Sequence, residues 1–251
     1  MGNHVVLLLP GALGSAKTDF AYQMQNLNKD IFTLIAWDPR GYGQSRPPVR
    51  DWPEHFLRRD AEDAAQFMEK LMMQLQEVTK SMPKNVNQDK FSLLGWSDGG
   101  ITAMILAAMI PEKIRKLVVW GANAFVTKEE IETYEKIRDV NQWSGMMRKP
   151  FEDTYGTEYF SQQFGNWVDA FSKFQDNPEG DICREDLSKI TCPTLVLHGQ
   201  KDPLVPQFHA DFLIENIQGS QLKLFPEGKH NLHMRFNKEF NSVVEQFLLE
   251  P

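Results

Sequence analysis

One serine lies in a sequence pattern that suits nucleophilic chemistry. Residues 95–99 read Gly-Trp-Ser-Asp-Gly and match G-x-S-x-G. The pattern follows a buried strand-like run (91–94) and precedes a small, apolar helical run (100–109). A tight strand-to-helix turn leaves no room for side chains two residues before and after the serine, and glycines stand at both positions. We therefore predict that Ser97 is a nucleophile; the alternative is a structural turn serine.

A serine hydroxyl is a weak nucleophile, so it needs a base and an acid that orients the base. Asp202 comes just after a strand-like run (194–198), and His230 comes just after the next one (222–225). The carboxyl ends of parallel strands meet at one edge of a sheet, where open α/β sheets build their sites. We therefore predict Asp202 as the acid and His230 as the base.

Each of these two assignments has an alternative. His233, three residues past His230, is the competing base, and Asp202 could be a simple turn aspartate before proline. The other four histidines are weaker candidates for the base. His4 is terminal and His55 lies in a charged stretch. His198 lies within a strand pattern and His209 within a helical pattern.

Composition excludes several classes of protein. The chain has 251 residues, a net charge of −7 and 41% hydrophobic residues, which suits one large globular domain and no nucleic-acid or anionic-membrane surface. The longest apolar run, 101–110, is about half of the ~20 residues that span a bilayer. Cys183 and Cys192 do not have metal-ligand spacing and are interpreted as structural thiols in a reducing compartment.

Strand-like and helical patterns alternate along the chain, which predicts an α/β fold with a mostly parallel sheet flanked by helices. Strands are predicted at 5–9, 31–37, 91–95, 117–120, 194–198 and 222–225, and helices at 60–76, 100–109 and 239–249. The polar stretch 77–90 is predicted to be an exposed loop. Residues 123–186 show aromatic-rich helical patterns and no buried strand, so we predict a helical insertion that packs over the strand ends.

Several motifs together resemble the α/β-hydrolase superfamily, and within it the biphenyl hydrolase-like branch. They lie at 9–15, 36–45, 95–100, 120–124, 198–206 and 226–233. The resemblance implies a hydrolase core at 1–122 and 187–251, a helical cap at 123–186, and a mitochondrial address for the parent protein. The antiparallel strand pair that usually opens this fold is expected to be absent, because the chain starts at what would be the third strand.

An acyl-transfer intermediate carries an oxyanion that needs two preset N–H donors. The backbone N–H of Asp98, the residue after the nucleophile, is expected to be one donor. The other is expected from the loop after the first strand, at Leu13, although its glycines could serve turn geometry alone.

The side chain of Asp98 opposes the negative charge of that oxyanion. At ~4–6 Å and an effective dielectric constant of 20, the repulsion is about 3–4 kcal/mol. The carboxylate becomes useful if the substrate carries an α-ammonium group; otherwise it could face solvent or cap the following helix. The resemblance implies the ammonium contact.

The resemblance, together with the candidate triad and Asp98, thus implies a serine hydrolase of α-amino-acid esters that works through an acyl-enzyme; amino-acid thiolactones are also compatible. We expect a small-molecule substrate, no metal or organic cofactor, no nucleic-acid or membrane partner and a monomer, mitochondrial by the resemblance and otherwise cytosolic. The alternatives are a carbon–carbon bond hydrolase of ring-cleavage products, whose anionic substrates Asp98 would repel, and a catalytically idle receptor of the same fold.

Overall fold

The computed structural model describes residues 2–79 and 90–251. Within these residues six strands form one sheet in the order β2-β1-β3-β4-β5-β6, and every neighbouring pair is parallel. The α/β prediction is therefore confirmed. The strands are β1 (His4–Leu9), β2 (Phe32–Ala36), β3 (Phe91–Trp96), β4 (Ile114–Trp120), β5 (Thr194–Gly199) and β6 (Gln221–Phe225).

Helices flank the sheet. They are α1 (Ala16–Asp19), α2 (Ala21–Asn26), α3 (Phe56–Thr79), α4 (Asp98–Met109), α5 (Lys128–Ile137), α6 (Gly145–Tyr155), α7 (Thr157–Ser172), α8 (Arg184–Leu187), α9 (Gln207–Asn216), α10 (Leu232–Arg235) and α11 (Asn237–Leu249). Short 3₁₀ turns lie at Pro111–Lys113, Val140–Gln142, Lys173–Asp176 and Pro178–Gly180. Over the described ranges, none of the helices has the length and apolar character that crossing a bilayer requires.

Helix α3 is longer than predicted at both ends. It begins at Phe56 because Phe56 and Leu57 are buried in the core, which a helical pattern starting at residue 60 does not include. The predicted loop at 77–90 is wrong for residues 77–79, which remain helical. Residues 80–89 of that loop lie outside the described residues.

Strands β1, β3 and β5 are buried on both faces, which explains their largely apolar sequences, whereas the edge strand β6 is mostly exposed. Side chains alternate between the faces along each strand, so in β1 Leu7 and Leu9 join one core cluster and Val6 and Leu8 join the other. The first cluster includes side chains of α3, α4 and residues 123–186, and the second includes side chains of α11.

Residues 123–186, the cap segment, hold α5, α6 and α7 between β4 and β5. Their aromatic side chains largely pack on one another, as in the stacked pair Phe151 and Phe160, whose ring centroids are 4.9 Å apart. Hydrogen bonds also tie the segment to loops of the sheet. The Tyr155 hydroxyl accepts from the Gly43 N–H at 2.9 Å, and Trp52 Nε1 donates to Gln163 Oε1 at 2.8 Å.

The turn from β3 to α4 leaves no space for side chains around Ser97. A Cβ built on Gly95 would lie 2.4 Å from the Gly99 carbonyl oxygen, and one on Gly99 would lie 2.1 Å from the Leu9 carbonyl oxygen. Ser97 itself has φ 54°, in the left-handed region that non-glycine residues rarely adopt. The neighbouring backbone thus holds a strained serine between strand and helix.

Replacing one of these glycines should therefore be costly. We expect Gly99→Ala to lower the free energy of unfolding by about 1–3 kcal/mol or more, because the added methyl group meets backbone that cannot give way. Gly145→Ala is the matched control, since a Cβ there meets nothing within 4 Å. It should change the free energy of unfolding by about 0.5 kcal/mol or less. Urea unfolding followed by circular dichroism measures both, and equal stabilities would contradict the steric argument.

Candidate active site

The predicted site residues lie at the carboxyl ends of four strands. Leu13 follows β1, Ser97 follows β3, Asp202 follows β5 and His230 follows β6. Since β1, β3, β5 and β6 are parallel strands of one sheet, with β4 between β3 and β5, the four loops meet at the same edge.

Ser97, His230 and Asp202 form a hydrogen-bonded chain. His230 Nε2 lies 3.1 Å from Ser97 Oγ, and His230 Nδ1 lies 2.8 Å from Asp202 Oδ2. A carboxylate opposite Nδ1 favours the tautomer with its proton on that nitrogen. Nε2 then presents a lone pair to the serine hydroxyl, which is the arrangement a general base requires.

Asp202 is held as a carboxylate. Its Oδ1 accepts from the Leu204 and Val205 N–H groups at 2.9 and 3.1 Å. Burial alone would raise the pKa of Asp202, but the His230 ring and the two amides outweigh it and keep the pKa below its usual value. The acid therefore stays negative and can stabilise a positive imidazolium.

Trp96 and Gly121 hold the His230 ring in place. Trp96 Nε1 donates to the His230 carbonyl oxygen at 2.9 Å, and the two rings are 5.4 Å apart between centroids. Gly121, with φ 56°, passes so close that an added Cβ would lie 3.0 Å from His230 Cε1. The base is thus held in place by backbone and by an aromatic ring.

The competing base, His233, is occupied elsewhere. It is fully buried, Trp120 Nε1 donates to its Nδ1 at 2.9 Å, and its Nε2 lies 3.1 Å from the Asp19 carbonyl oxygen. With Nδ1 accepting, Nε2 carries the proton and donates. Burial lowers the pKa of His233 to about 3, so the ring stays neutral.

The loop after β1 lies against the serine. A Cβ built on Gly11 would be 3.3 Å from Ser97 Cβ, and the Gly14 N–H donates to the Gly11 carbonyl oxygen at 2.9 Å. Leu13 is fully buried and has φ 54°, a second strained position beside the first. The loop therefore has the tight, non-helical geometry expected of an oxyanion loop.

Asp98 is the first residue of α4, and its side chain is buried rather than facing solvent. Only 6% of the residue is exposed, and Trp167 Nε1 of the cap segment donates to Asp98 Oδ2 at 2.7 Å. Burial raises the pKa of Asp98 to about 7, although the Trp167 indole and the charge of Arg50 work to lower it. A carboxyl beside the nucleophile is thus poised between its neutral and charged forms.

Arg50 is a buried cation near this carboxyl. It forms a two-pronged ion pair with Asp60, at 2.7 and 2.6 Å, and its guanidinium lies 4.8 Å from the ring centroids of Tyr42 and Trp52. Its charge is therefore largely matched by Asp60, which leaves Asp98 free of a dedicated ion-pair partner in the described part of the chain.

Sequence reasoning missed two residues at the site. Trp167 lies in the aromatic-rich helical pattern at 123–186, and periodicity predicts which face of a helix a side chain lies on but not its hydrogen-bond partner. Asp19 gave no signal beyond its nearness to the glycines of the loop; its Oδ2 accepts from the Gly11 N–H at 3.0 Å. Among residues 2–79 and 90–251, no group of three or more His, Cys, Asp and Glu is placed to hold a metal ion.

Comparison with known proteins agrees with this architecture. The profile of the α/β-hydrolase fold family matches residues 4–157 and 126–236. An α/β-hydrolase enzyme from a Medee basin deep-sea metagenome has a TM-score of 0.77 at 18% identity, covering 100% of this chain and 91% of its own; it shows the fold alone.

Two mammalian proteins are much more similar. Serine hydrolase BPHL of Mus musculus is 57% identical over 247 residues, which are 98% of this chain and 80% of the mouse protein. Serine hydrolase BPHL of Homo sapiens is 54% identical with the same coverage. The resemblance to the branch of biphenyl hydrolase-like protein, also named valacyclovir hydrolase, is confirmed. The chain therefore belongs to the α/β-hydrolase family and is a serine hydrolase of that fold, similar over nearly its whole length to mouse and human BPHL.

Proposed function

We propose that this protein hydrolyses carboxylic esters of α-amino acids, and compatible amino-acid thiolactones, through an acyl-enzyme on Ser97. The observation that carries the proposal is the buried carboxyl of Asp98, directly after the nucleophile and bonded to Trp167. A hydrolase of neutral or anionic esters gains nothing from an acid at this position, because it opposes the charge that the reaction develops.

His230 starts the reaction by taking the proton from Ser97 Oγ as the oxygen attacks the ester carbonyl. Asp202 stabilises the imidazolium that forms and fixes its tautomer. The 3.1 and 2.8 Å separations in the hydrogen-bonded chain support this sequence of proton transfers. His230 then gives the proton to the leaving alcohol, and a water activated by the same ring hydrolyses the acyl-enzyme.

The negative oxygen of each tetrahedral intermediate lies between two backbone donors, the N–H groups of Leu13 and Asp98. The Asp98 amide belongs to the first residue of α4, so it has no acceptor within its own helix. The helix dipole adds a partial positive charge at the same place. The strained conformation at Leu13 supports its role as the second donor.

The α-ammonium group of the substrate is bound by the Asp98 carboxylate. In the free enzyme, burial raises the pKa of this carboxyl to about 7. An incoming cation favours the ionised form, since an opposite charge at short range lowers a carboxyl pKa. The ion pair then cancels the repulsion between Asp98 and the oxyanion, so only substrates that bring the cation react fast.

Carbon–carbon bond hydrolysis is the less favoured alternative. A meta-cleavage product hydrolase, CumD, shares the fold with a TM-score of 0.73, 20% identity and coverage of 99% of this chain and 92% of its own. That likeness carries no substrate information, and a buried acid beside the nucleophile repels anionic ring-cleavage products. The monomeric state, the cap boundaries at 123 and 186 and the mitochondrial or cytosolic location stay predictions.

Removing the side chain of either Ser97 or His230 should abolish turnover. We expect Ser97→Ala and His230→Ala each to lower kcat by about 10⁴-fold or more, because residues that act as a unit fail together. His233→Ala tests the competing base: that ring does not reach Ser97, so this variant should keep at least about 100-fold more turnover per folded enzyme than His230→Ala. Hydrolysis of an amino-acid ester, expressed per folded enzyme as determined by circular dichroism, measures all three. Loss of activity in the His233 variant alone would show that the base is misassigned.

Asp98→Asn should change substrate specificity and leave the turn from β3 to α4 intact. Asparagine keeps an oxygen for the Trp167 indole N–H but carries no charge. Truncating one member of a desolvated charge pair costs about 2–5 kcal/mol, so kcat/KM for amino-acid esters should fall roughly thirty- to several-thousand-fold. Esters that lack the amine should lose little.

The matched control for this variant lies in the substrate. N-acetylation of the ester should reproduce the loss in the wild-type enzyme, and the two changes together should not add. An equal loss for amino and des-amino esters would mean that Asp98 supports the turn and does not recognise the ammonium group.

The same substitution should stabilise the protein in a pH-dependent way. The pKa of Asp98 is about 7 when folded and 3.8 by its ordinary value, so the folded state binds the proton more tightly. Its contribution to stability is present at low pH and is lost as the pH rises through 7. The difference in Tm, variant minus wild type, should therefore be larger at pH 8 than at pH 5. A difference independent of pH, measured by thermal unfolding, would contradict the raised pKa.

A further inference from the structure

A buried aspartate lies behind the loop that supplies the Leu13 amide. Asp19 is 1% exposed, and its Oδ2 accepts from the Gly11 N–H at 3.0 Å. Its Oδ1 accepts from the Thr18 hydroxyl at 2.7 Å. A Cβ built on Gly14 would lie 1.9 Å from Asp19 Oδ2, so the carboxyl group fills the space beneath both ends of the loop.

Asp19 is itself anchored to the sheet. Its carbonyl oxygen accepts from His233 Nε2 at 3.1 Å, and His233 Nδ1 accepts from Trp120 Nε1 of β4 at 2.9 Å. The ring of His233 stays neutral because burial lowers its pKa to about 3, so this anchor keeps its proton arrangement over the working pH range. A series of hydrogen bonds thus links Trp120 of β4, through His233 and Asp19, to the Gly11 amide.

Burial of Asp19 carries a cost in folding free energy, because it disfavours the charged carboxylate. Burial raises the pKa of Asp19 to about 7, against the opposing effect of the hydrogen bonds from Thr18 and Gly11, and the nearby Asp38 raises it further. An apolar side chain would avoid that cost. Leu13, in the same loop, has φ 54°, and a strained conformation persists only where its surroundings hold it.

We propose that Asp19 is a positioning residue for the oxyanion hole: by fixing the Gly11 amide, it holds the Gly11–Gly14 loop in the conformation that presents the Leu13 N–H to the reacting carbonyl. This inference rests on the proposed role of Leu13. Asp19 does not contact the substrate and acts through the loop. Its effect belongs to the transition state, so it should appear in kcat and not in KM.

The test uses an amino-acid ester and the matching thionoester, in which sulfur replaces the carbonyl oxygen. Sulfur is a weak hydrogen-bond acceptor, so the preference for the oxygen ester reports the quality of the oxyanion hole. Asp19→Ala should lower kcat for the oxygen ester about 10- to 100-fold, with KM within about threefold, and should reduce the oxygen-to-sulfur preference by a similar factor.

Three further variants separate positioning from stability. Asp19→Asn keeps an oxygen for the Gly11 N–H, so its preference should stay within about fivefold of the wild type. Gly14→Ala pushes the carboxyl group away, so it should reproduce the loss and serves if Asp19→Ala does not fold. Asp186→Ala removes another buried aspartate, ion-paired with Arg58 and away from the loop, and should lower Tm without changing the preference.

Rates are expressed per reactive serine, counted by fluorophosphonate titration. A wild-type oxygen-to-sulfur preference in Asp19→Ala, or in Gly14→Ala where Asp19→Ala does not fold, would overturn the inference while leaving the proposed function intact. A wild-type enzyme that hydrolyses neither ester would instead overturn the proposed function. Asp19→Asn losing as much preference as Asp19→Ala would also overturn the inference, because the hydrogen bond to Gly11 would then not be the cause.

Discussion

The tight passage from β3 into α4 is the constraint on which the rest of the site depends. Ser97 is kept at φ 54° by backbone that approaches within 2.1–2.4 Å of where side chains at Gly95 and Gly99 would begin. That close approach places the hydroxyl above the sheet edge and turns the first amide of α4 toward the same space. The loops after β1, β5 and β6 carry Leu13, Asp202 and His230, and these residues lie around the serine that the turn positions.

Two buried carboxyl groups, those of Asp19 and Asp98, lie near the Ser97 turn, and burial disfavours the charged form of each. Burial raises the pKa of Asp19 and of Asp98 to about 7, whereas Asp202 is kept below its usual value by its amides and His230. Burial is the largest effect on Asp19 and Asp98, and their hydrogen bonds do not outweigh it. For Asp202, the charge of His230 and the hydrogen bonds from His230, Leu204 and Val205 outweigh burial, so this acid stays charged.

Much of the fold and of the candidate site could be predicted from the sequence. Strands buried on both faces read as continuous apolar runs, and G-x-S-x-G between strand and helix placed Ser97. The start of α3 was missed because Phe56 becomes helical through packing on rings of the cap segment, such as Phe171, which is distant in sequence. The roles of Asp19 and Trp167 could not be predicted for the same reason, since each depends on partners that only the folded chain brings near.

The bond between Trp167 and Asp98 joins residues 69 positions apart, one in the cap segment and one in the hydrolase core. In evolutionary terms it makes the two positions dependent on each other. An apolar residue at 98 would strand a buried indole N–H, at a cost of about 1–3 kcal/mol, unless the tryptophan had changed first. A lineage that places an apolar residue at 98 must therefore pass through a less stable ancestor or change its cap segment first, so the geometry constrains the order of substitutions.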